Sequence, residues 1–179
     1  MKYISVLLIF SLLLIAVKCP KNDVPPQLPP ITQSGANTFG CLVNGQVWIP
    51  VWGAGSADAP YLVQWGPGST ITIQATKWRK NPSHIDSILQ VLYMTLPQHD
   101  TGMYYIKNHI KNLSANCLGF KGQYDTVNNN LGFQNWVHIS RFDSVPNIII
   151  SGTFNFFFTA HGLDTLHITS GRFDMKNPY

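Results

Sequence analysis

Short segments of alternating apolar and polar residues follow one another along most of this chain, with Gly, Pro and Asn between them. A period of two places successive side chains on opposite faces of a β-strand. In 154–158, for example, three phenylalanines share one face, while Asn155 and Phe157 share the other. The chain contains no Glu, which is a strong helix former. The pattern therefore predicts an all-β fold.

Turn signals divide this pattern into strands. Asn44-Gly45 separates 38–43 from 46–50 and is the strongest short signal of a β-hairpin. Residues 85–96 fit a helical stripe or a strand, and we favour the strand because Val, Tyr, Met and Thr run up to Pro97. Further strands are predicted at 61–65, 69–76, 102–108, 136–143, 147–159 and 164–176. Residues 112–131, polar and rich in Gly and Asn, predict a long loop. This spacing predicts a single antiparallel β-sandwich or barrel-like domain.

The first eighteen residues have the pattern of a signal peptide. Met1-Lys2 precedes an apolar run from Tyr3 to Val17. A helix of that length spans about 22 Å, which is less than the roughly 30 Å of a hydrocarbon core. We therefore predict a signal peptide at 1–18, and not a membrane span, with export of the residues that follow.

Cys19, directly after the apolar run, fits the cysteine of a lipobox, whose thiol takes a diacylglycerol. Lys18 departs from the Gly, Ala or Ser that usually precedes such a cysteine, so the alternative is an exported chain without the lipid. Five prolines among residues 20–30 predict a polyproline-like spacer or a disordered terminus. The sequence thus predicts lipidation at Cys19, a Pro-rich tether at 19–36 and an all-β domain at 37–179.

Two cysteines remain for the domain. If Cys19 is acylated, Cys41 and Cys117 form a possible disulfide in an exported protein. The alternative is two buried free thiols, because free cysteine is often a small core residue.

The chain shows no spacing typical of a metal site or a catalytic site. Its six His residues form no H-x-H or H-E-x-x-H pattern, and there is no G-x-S-x-G elbow. Ser151, His138 and Asp143 are residue types of a catalytic triad, but no spacing in the sequence joins them. Arg172 with Asp174 is interpreted as an ion pair at the end of a sheet. After Cys19 the ten basic and eight acidic residues leave a net charge of only +2. We therefore expect no enzyme activity, no metal, no cofactor and no nucleic-acid partner.

The five Trp residues are the remaining candidates for binding. As a group they are interpreted mainly as core, since each buries a large apolar area. Trp52, beside Gly53-Ala54-Gly55, and Trp78, within the basic cluster 77–80, are the two that we expect to be exposed and to contact a ligand.

Three segments resemble the uncharacterised lipoproteins of the Bacteroidota, the family of domain of unknown function 6252. They are 37–48, 150–156 and 168–174. The resemblance implies a β-rich, lipid-anchored protein of the cell envelope at the outer membrane, and it implies no particular activity. Surface-exported members often carry acids just after the cysteine. Only Asp23 lies near it here, which favours the periplasmic side.

The main hypothesis is a non-enzymatic, lipid-anchored binding or scaffolding domain, with the membrane as partner through its lipid and a protein or glycan partner unspecified. The alternative is a ligand-binding β domain that uses exposed Trp residues to hold a glycan or an apolar molecule. An uncharacterised hydrolase is the third hypothesis.

Overall fold

The computed structural model of the chain describes residues 26–51, 60–66, 70–79, 88–97, 100–105, 114–118, 135–158 and 165–177. The predicted signal peptide, Cys19 and Trp52 lie outside these ranges. All regular secondary structure within these ranges is β-strand, which confirms the all-β prediction. The described part of the chain holds no long apolar helix of the kind that crosses a bilayer.

The strands form two antiparallel sheets that pack together as a sandwich. They are β1 (Thr38–Val43), β2 (Gln46–Trp48), β3 (Tyr61–Gly66), β4 (Thr70–Arg79), β5 (Ile88–Pro97), β6 (Gly102–Tyr105), β7 (Ser114–Leu118), β8 (Trp136–Asp143), β9 (Ile148–Phe158) and β10 (Leu166–Asn177). The six-stranded sheet has the order β2-β1-β10-β9-β8-β6, and the four-stranded sheet has the order β3-β4-β5-β7.

The turn chemistry of the first hairpin is as predicted. Asn44 and Gly45 both have positive φ, of 47° and 80°, as a two-residue hairpin turn of type I′ requires. The ambiguous segment before Pro97 is strand β5. The prediction of an unbroken loop at 112–131 is wrong, because residues 114–118 pair with β5 and extend the four-stranded sheet. Tertiary pairing outweighs the weak strand propensity of Ser114 and Asn116 there.

The core lies between the two sheets and is built by alternate residues of the long strands. In β9 the side chains of Phe154, Phe156 and Phe158 are all fully buried, as the alternation predicted. Ile71 and Ile73 of β4 close the core from the other sheet and are also fully buried.

Two glycines make room for phenylalanine rings on the neighbouring strand. Gly171 of β10 lies opposite Phe154 of β9, and Gly152 of β9 lies opposite Phe173 of β10. A Cβ on Gly171 would come within 2.5 Å of three ring carbons of Phe154, and one on Gly152 would meet the backbone oxygen of His138 and lie 2.8 Å from Cζ of Phe173. The Phe154 ring therefore occupies the space that a side chain at Gly171 would need, whereas at Gly152 the backbone of β8 also excludes a side chain.

Strand β3 contacts two strands of the six-stranded sheet. Asn177 of β10 donates a hydrogen bond from its side chain to the backbone oxygen of Val63, over 2.7 Å. Two residues further along β3, the ring of Trp65 contacts Phe142 of β8, with centroids 6.5 Å apart. These contacts join the edge strand of the four-stranded sheet to the facing sheet.

We expect Gly171→Ala to destabilise the sandwich by about 1–3 kcal/mol, since an extra methyl group must enter a packed core. Chemical denaturation would give the free energy of unfolding. In a Phe154→Leu background the same substitution should cost clearly less, because the smaller side chain leaves room for the methyl. Strictly additive effects would show that Gly171 and Phe154 do not share this space.

Candidate functional site

The outer face of the six-stranded sheet, turned away from the four-stranded sheet, carries the most unusual arrangement of polar groups in the described chain. One part of this face is covered by residues 26–36, which we call the strap. The strap is the described portion of the predicted tether. The remaining part is open and carries aromatic side chains.

A buried carboxylate fixes the strap. Asp174 of β10 is only 1 % exposed, and its two oxygens accept six hydrogen bonds. Oδ2 accepts from Thr32 Oγ1, Ser34 N, Ser34 Oγ and Ala36 N at 2.6, 3.0, 3.2 and 3.1 Å, while Oδ1 accepts from Gly35 N at 2.7 Å and Ser151 Oγ at 2.6 Å. Five of these bonds come from the strap. The backbone amides of a short loop thus surround one negative charge.

These hydrogen bonds decide the protonation state of Asp174. Burial on its own would raise the pKa of this carboxyl, but the bonds from Ser151, Thr32, Ala36 and Gly35 outweigh burial and hold the pKa well below its usual range. The group is therefore ionised at all physiological pH values.

The expected ion pair between Arg172 and Asp174 is not present, and that prediction was wrong. Arg172 instead donates from Nη1 to the backbone oxygen of Pro29 and from Nε to that of Ser170, each over 3.2 Å. Because the strap and Ser151 supply enough donors for the buried carboxylate, the guanidinium of Arg172 donates instead to the backbone oxygen of Pro29 in the strap.

Further contacts attach the strap along its length. The ring of Pro29 packs against Gly40 of β1, where an added Cβ would lie 2.7 Å from Cδ of the proline. Arg141 of β8 donates to the backbone oxygen of Gln33. The strap therefore crosses from β1 over β10 to β8 before the chain returns to start β1.

A shallow pocket of about 200 Å³ lies where the strap begins. It is lined by Gln27, Pro29, Asn37, Thr38, Phe39, Ile49, Pro50 and Tyr61. Its volume falls below the roughly 300 Å³ at which small-molecule sites begin. We therefore interpret the pocket as the place where the strap, the β1–β2 hairpin and β3 meet, and not as a ligand site.

The open part of the outer face combines aromatic and polar side chains. Tyr105 of β6, 38 % exposed, lies opposite Trp136 of β8, which in turn lies opposite Asn155 of β9. On the same face Phe157 and His167 pack ring against ring, with centroids 4.8 Å apart. Neighbouring strands therefore present one continuous row of rings and hydrogen-bonding groups, which we call the aromatic row.

The Trp residues are distributed differently from the sequence prediction. Trp78 is half-buried on β4, so it is not a freely exposed ring, and Trp52 lies outside the described residues. Trp48 is 3 % exposed and belongs to the core, whereas Trp65 is 43 % exposed at the sandwich edge. Sequence reasoning missed Trp136, although its alternation with the buried Val137 and Ile139 could have placed it on the outer face.

Cys41 lies on β1 and is a free, buried thiol among the described side chains. Burial raises the pKa of this thiol to about 12, which makes it a poor nucleophile. Cys117 lies on β7, whose side chains are outside the described part. Cys41 itself is not bridged in this structure, which agrees with the alternative of a buried free thiol and not with the predicted disulfide.

Ser151 and Asp143, two of the three residues considered as a catalytic triad, have other partners. Ser151 donates to Asp174, and Asp143 forms an ion pair with Arg141. Within the described ranges no three His, Cys or Asp side chains are grouped so that they could hold a metal ion.

Comparison of the chain with family models, with curated proteins and with solved structures gives no match.

We expect Asp174→Asn to lower the free energy of unfolding by roughly 3 kcal/mol. The Asn amide has only one acceptor oxygen, and its NH2 group would face N–H and O–H groups that also donate. Asp143→Asn is the matched control, since its carboxylate is 42 % exposed, and it should change stability by less than about 0.5 kcal/mol. Equal effects of the two substitutions would contradict the role given to Asp174.

The low pKa of Asp174 predicts how the free energy of unfolding changes as the pH falls. A depressed pKa stabilises the fold above the unfolded value of about 3.9, and the stabilisation is lost as pH falls toward the folded value. Unfolding free energies measured between about pH 5 and pH 2 should therefore fall less steeply for Asp174→Asn than for the unmodified chain.

Proposed function

We propose that this chain is a lipid-anchored protein of the cell envelope, whose β-sandwich binds or scaffolds and does not catalyse. The lipid is carried by Cys19, and the domain stands at the outer membrane on the periplasmic side. The position of Cys19 directly after an apolar run supports the anchor.

The observation that carries the proposal is the attachment of the strap. The segment that links the anchor to the domain is bound by a buried, ionised carboxylate through five of its own donors. A linker that only separates two parts needs no such contacts. A linker that is bound to the domain fixes the place where it meets the sandwich. Such a fixed attachment suits a tethered binding or scaffolding protein.

The anchor is tested by mass analysis of the protein extracted from membranes. We expect a diacylglyceryl-modified Cys19 at the mature N-terminus, and Cys19→Ala should move most of the protein out of the membrane fraction. Lys18→Gly is the control, because it restores the small residue that usually precedes the cysteine and should keep or increase the membrane-bound share. An unmodified N-terminus, or an unchanged distribution of Cys19→Ala, would overturn the anchor.

The aromatic row favours glycan binding as a second candidate function. Rings such as those of Trp136 and Tyr105 can stack on the apolar faces of sugars, while polar neighbours such as Asn155 bind hydroxyl groups. A flat sheet face suits an extended polysaccharide better than a small enclosed ligand.

If this second function is right, affinity electrophoresis with a panel of soluble neutral polysaccharides should show retardation. Trp136→Ala should weaken binding by about tenfold, as expected for the loss of one central aromatic contact. Trp78→Ala on the other sheet separates this site from the one expected from the sequence and should leave binding unchanged. A loss of binding with Trp78→Ala alone would favour the sequence-based site.

A further inference from the structure

Strand β3 is an edge of the four-stranded sheet, and it differs from the other edge strands of the described chain. It has six residues, whereas β2, β6 and β7 have three, four and five. It also contains no charged residue and no proline. Short length, charge and proline are the usual protections of an edge against a further strand. Among the described strands, β3 is therefore the edge best suited to pair with another chain.

The hydrogen bonds to β4 show which backbone groups of β3 point outward. The amide of Thr76 in β4 donates to the backbone oxygen of Pro60 over 2.7 Å. Opposed residues of an antiparallel pair alternate between those that exchange hydrogen bonds and those that do not. Residues 62 and 64 therefore bond to β4 in this register, while the N–H and C=O groups of 61, 63 and 65 point away from it.

Contacts with the facing sheet agree with this direction. The side chain of Asn177 donates to the backbone oxygen of Val63 over 2.7 Å, so that oxygen accepts a donor from outside β4. Asn177 is the last residue of β10, and Phe142, which contacts Trp65, is the last but one of β8. The facing sheet thus ends close to β3, and the six described residues of this edge lie at the rim of the sandwich.

The sequence of β3 is complementary to itself when two copies run antiparallel. In a pair centred on Val63, this residue lies opposite its own copy, and Tyr61 lies opposite Trp65 of the second copy. Each of these pairs joins residues whose backbone groups point outward, so N–H groups meet C=O groups. The paired side chains lie on the inner face, where Tyr61 packs against the core and Trp65 is 43 % exposed. Aromatic cross-strand pairs contribute about 0.2–1 kcal/mol each, and the symmetry makes two of them.

Charge also favours an identical partner for this edge. Two copies always bring the same charges, and like charges that face each other across a strand pair are destabilising. Because β3 carries no charge, self-pairing brings no such repulsion between the two strands. On the outer face the pair places Leu62, 44 % exposed, opposite the exposed Gln64 of the other copy.

We propose that β3 is a dimerisation edge, through which two copies of this chain join their four-stranded sheets into one continuous antiparallel sheet. The interface is isologous, with a two-fold axis at Val63. So short a contact falls at the small end of protein interfaces, which is typical of weak and reversible association. The dimer depends neither on the anchor at Cys19 nor on the aromatic row, which lies on the other sheet.

Sedimentation equilibrium tests the dimer on protein expressed as the full chain and purified in a detergent that is matched to the solvent in density. The unmodified protein should dimerise reversibly, with a dissociation constant of roughly 10–200 µM. Leu62→Lys should raise this constant at least about tenfold, because symmetry places two charges in adjacent residue pairs. Leu89→Lys on β5 is the matched control, since Leu89 is 47 % exposed, and it should change the constant by less than about twofold.

A charge exchange tests the register. Gln64→Glu should weaken the dimer as Leu62→Lys does, because it also places two like charges in adjacent pairs. An equimolar mixture of the two variants should dimerise again, at close to the unmodified constant, since the introduced ammonium group then lies opposite the introduced carboxylate. Both substituted side chains are exposed, so each variant should keep the fold of the single chain.

Amide hydrogen exchange, measured by NMR in dilute and concentrated samples, tests the backbone pairing. The amides of Leu62 and Gln64 should be protected in both samples, because they bond to β4. Those of Tyr61, Val63 and Trp65 should exchange at least about tenfold more slowly only in the concentrated sample. Association through side chains alone would not produce this alternation.

A protein that stays monomeric over the whole concentration range would overturn the proposal. Dimers that Leu62→Lys and Gln64→Glu leave unchanged would do so as well, as would a mixture that dimerises no better than its components.

Discussion

The buried carboxylate of Asp174 is the interaction on which the outer half of this structure depends. A charge that is removed from water must be compensated by donors, and among the described side chains no cation performs that task for Asp174. Five of the six donors come from the strap, which forms no helix or strand of its own. Asp174 thus links three parts of the molecule that are distant in sequence: the strap, Ser151 on β9 and its own strand β10. The position of residues 32–36 and their coverage of the sheet follow from that one group.

Much of the fold could be predicted from the sequence because it depends on local rules. The alternation of Phe154, Phe156 and Phe158 fixes which face of β9 is buried, and Asn44-Gly45 fixes a hairpin turn. Strand β7 was missed because its stability comes from a neighbour about twenty residues away, and Ser114–Leu118 alone carries little strand propensity. Pairing partners of this kind leave no local signal.

The candidate site was much less predictable, for a related reason. Composition indicated that 20–30 is rich in proline, and proline excludes helix and central strand. It could not indicate that the following residues bind a carboxylate some 140 positions away in the chain. The interpretation of Arg172 and Asp174 as an ion pair used charge and proximity in sequence, which overlook that backbone amides are equally good partners for an anion. The expectation for Trp78 rested on its basic neighbours, and composition of this kind does not show that the residue lies on strand β4.

The two edge strands of the six-stranded sheet are short, with three residues in β2 and four in β6. Each offers few backbone groups to which another chain could add a strand. The brevity of β2 and β6 therefore limits how far another strand could extend the six-stranded sheet at either edge.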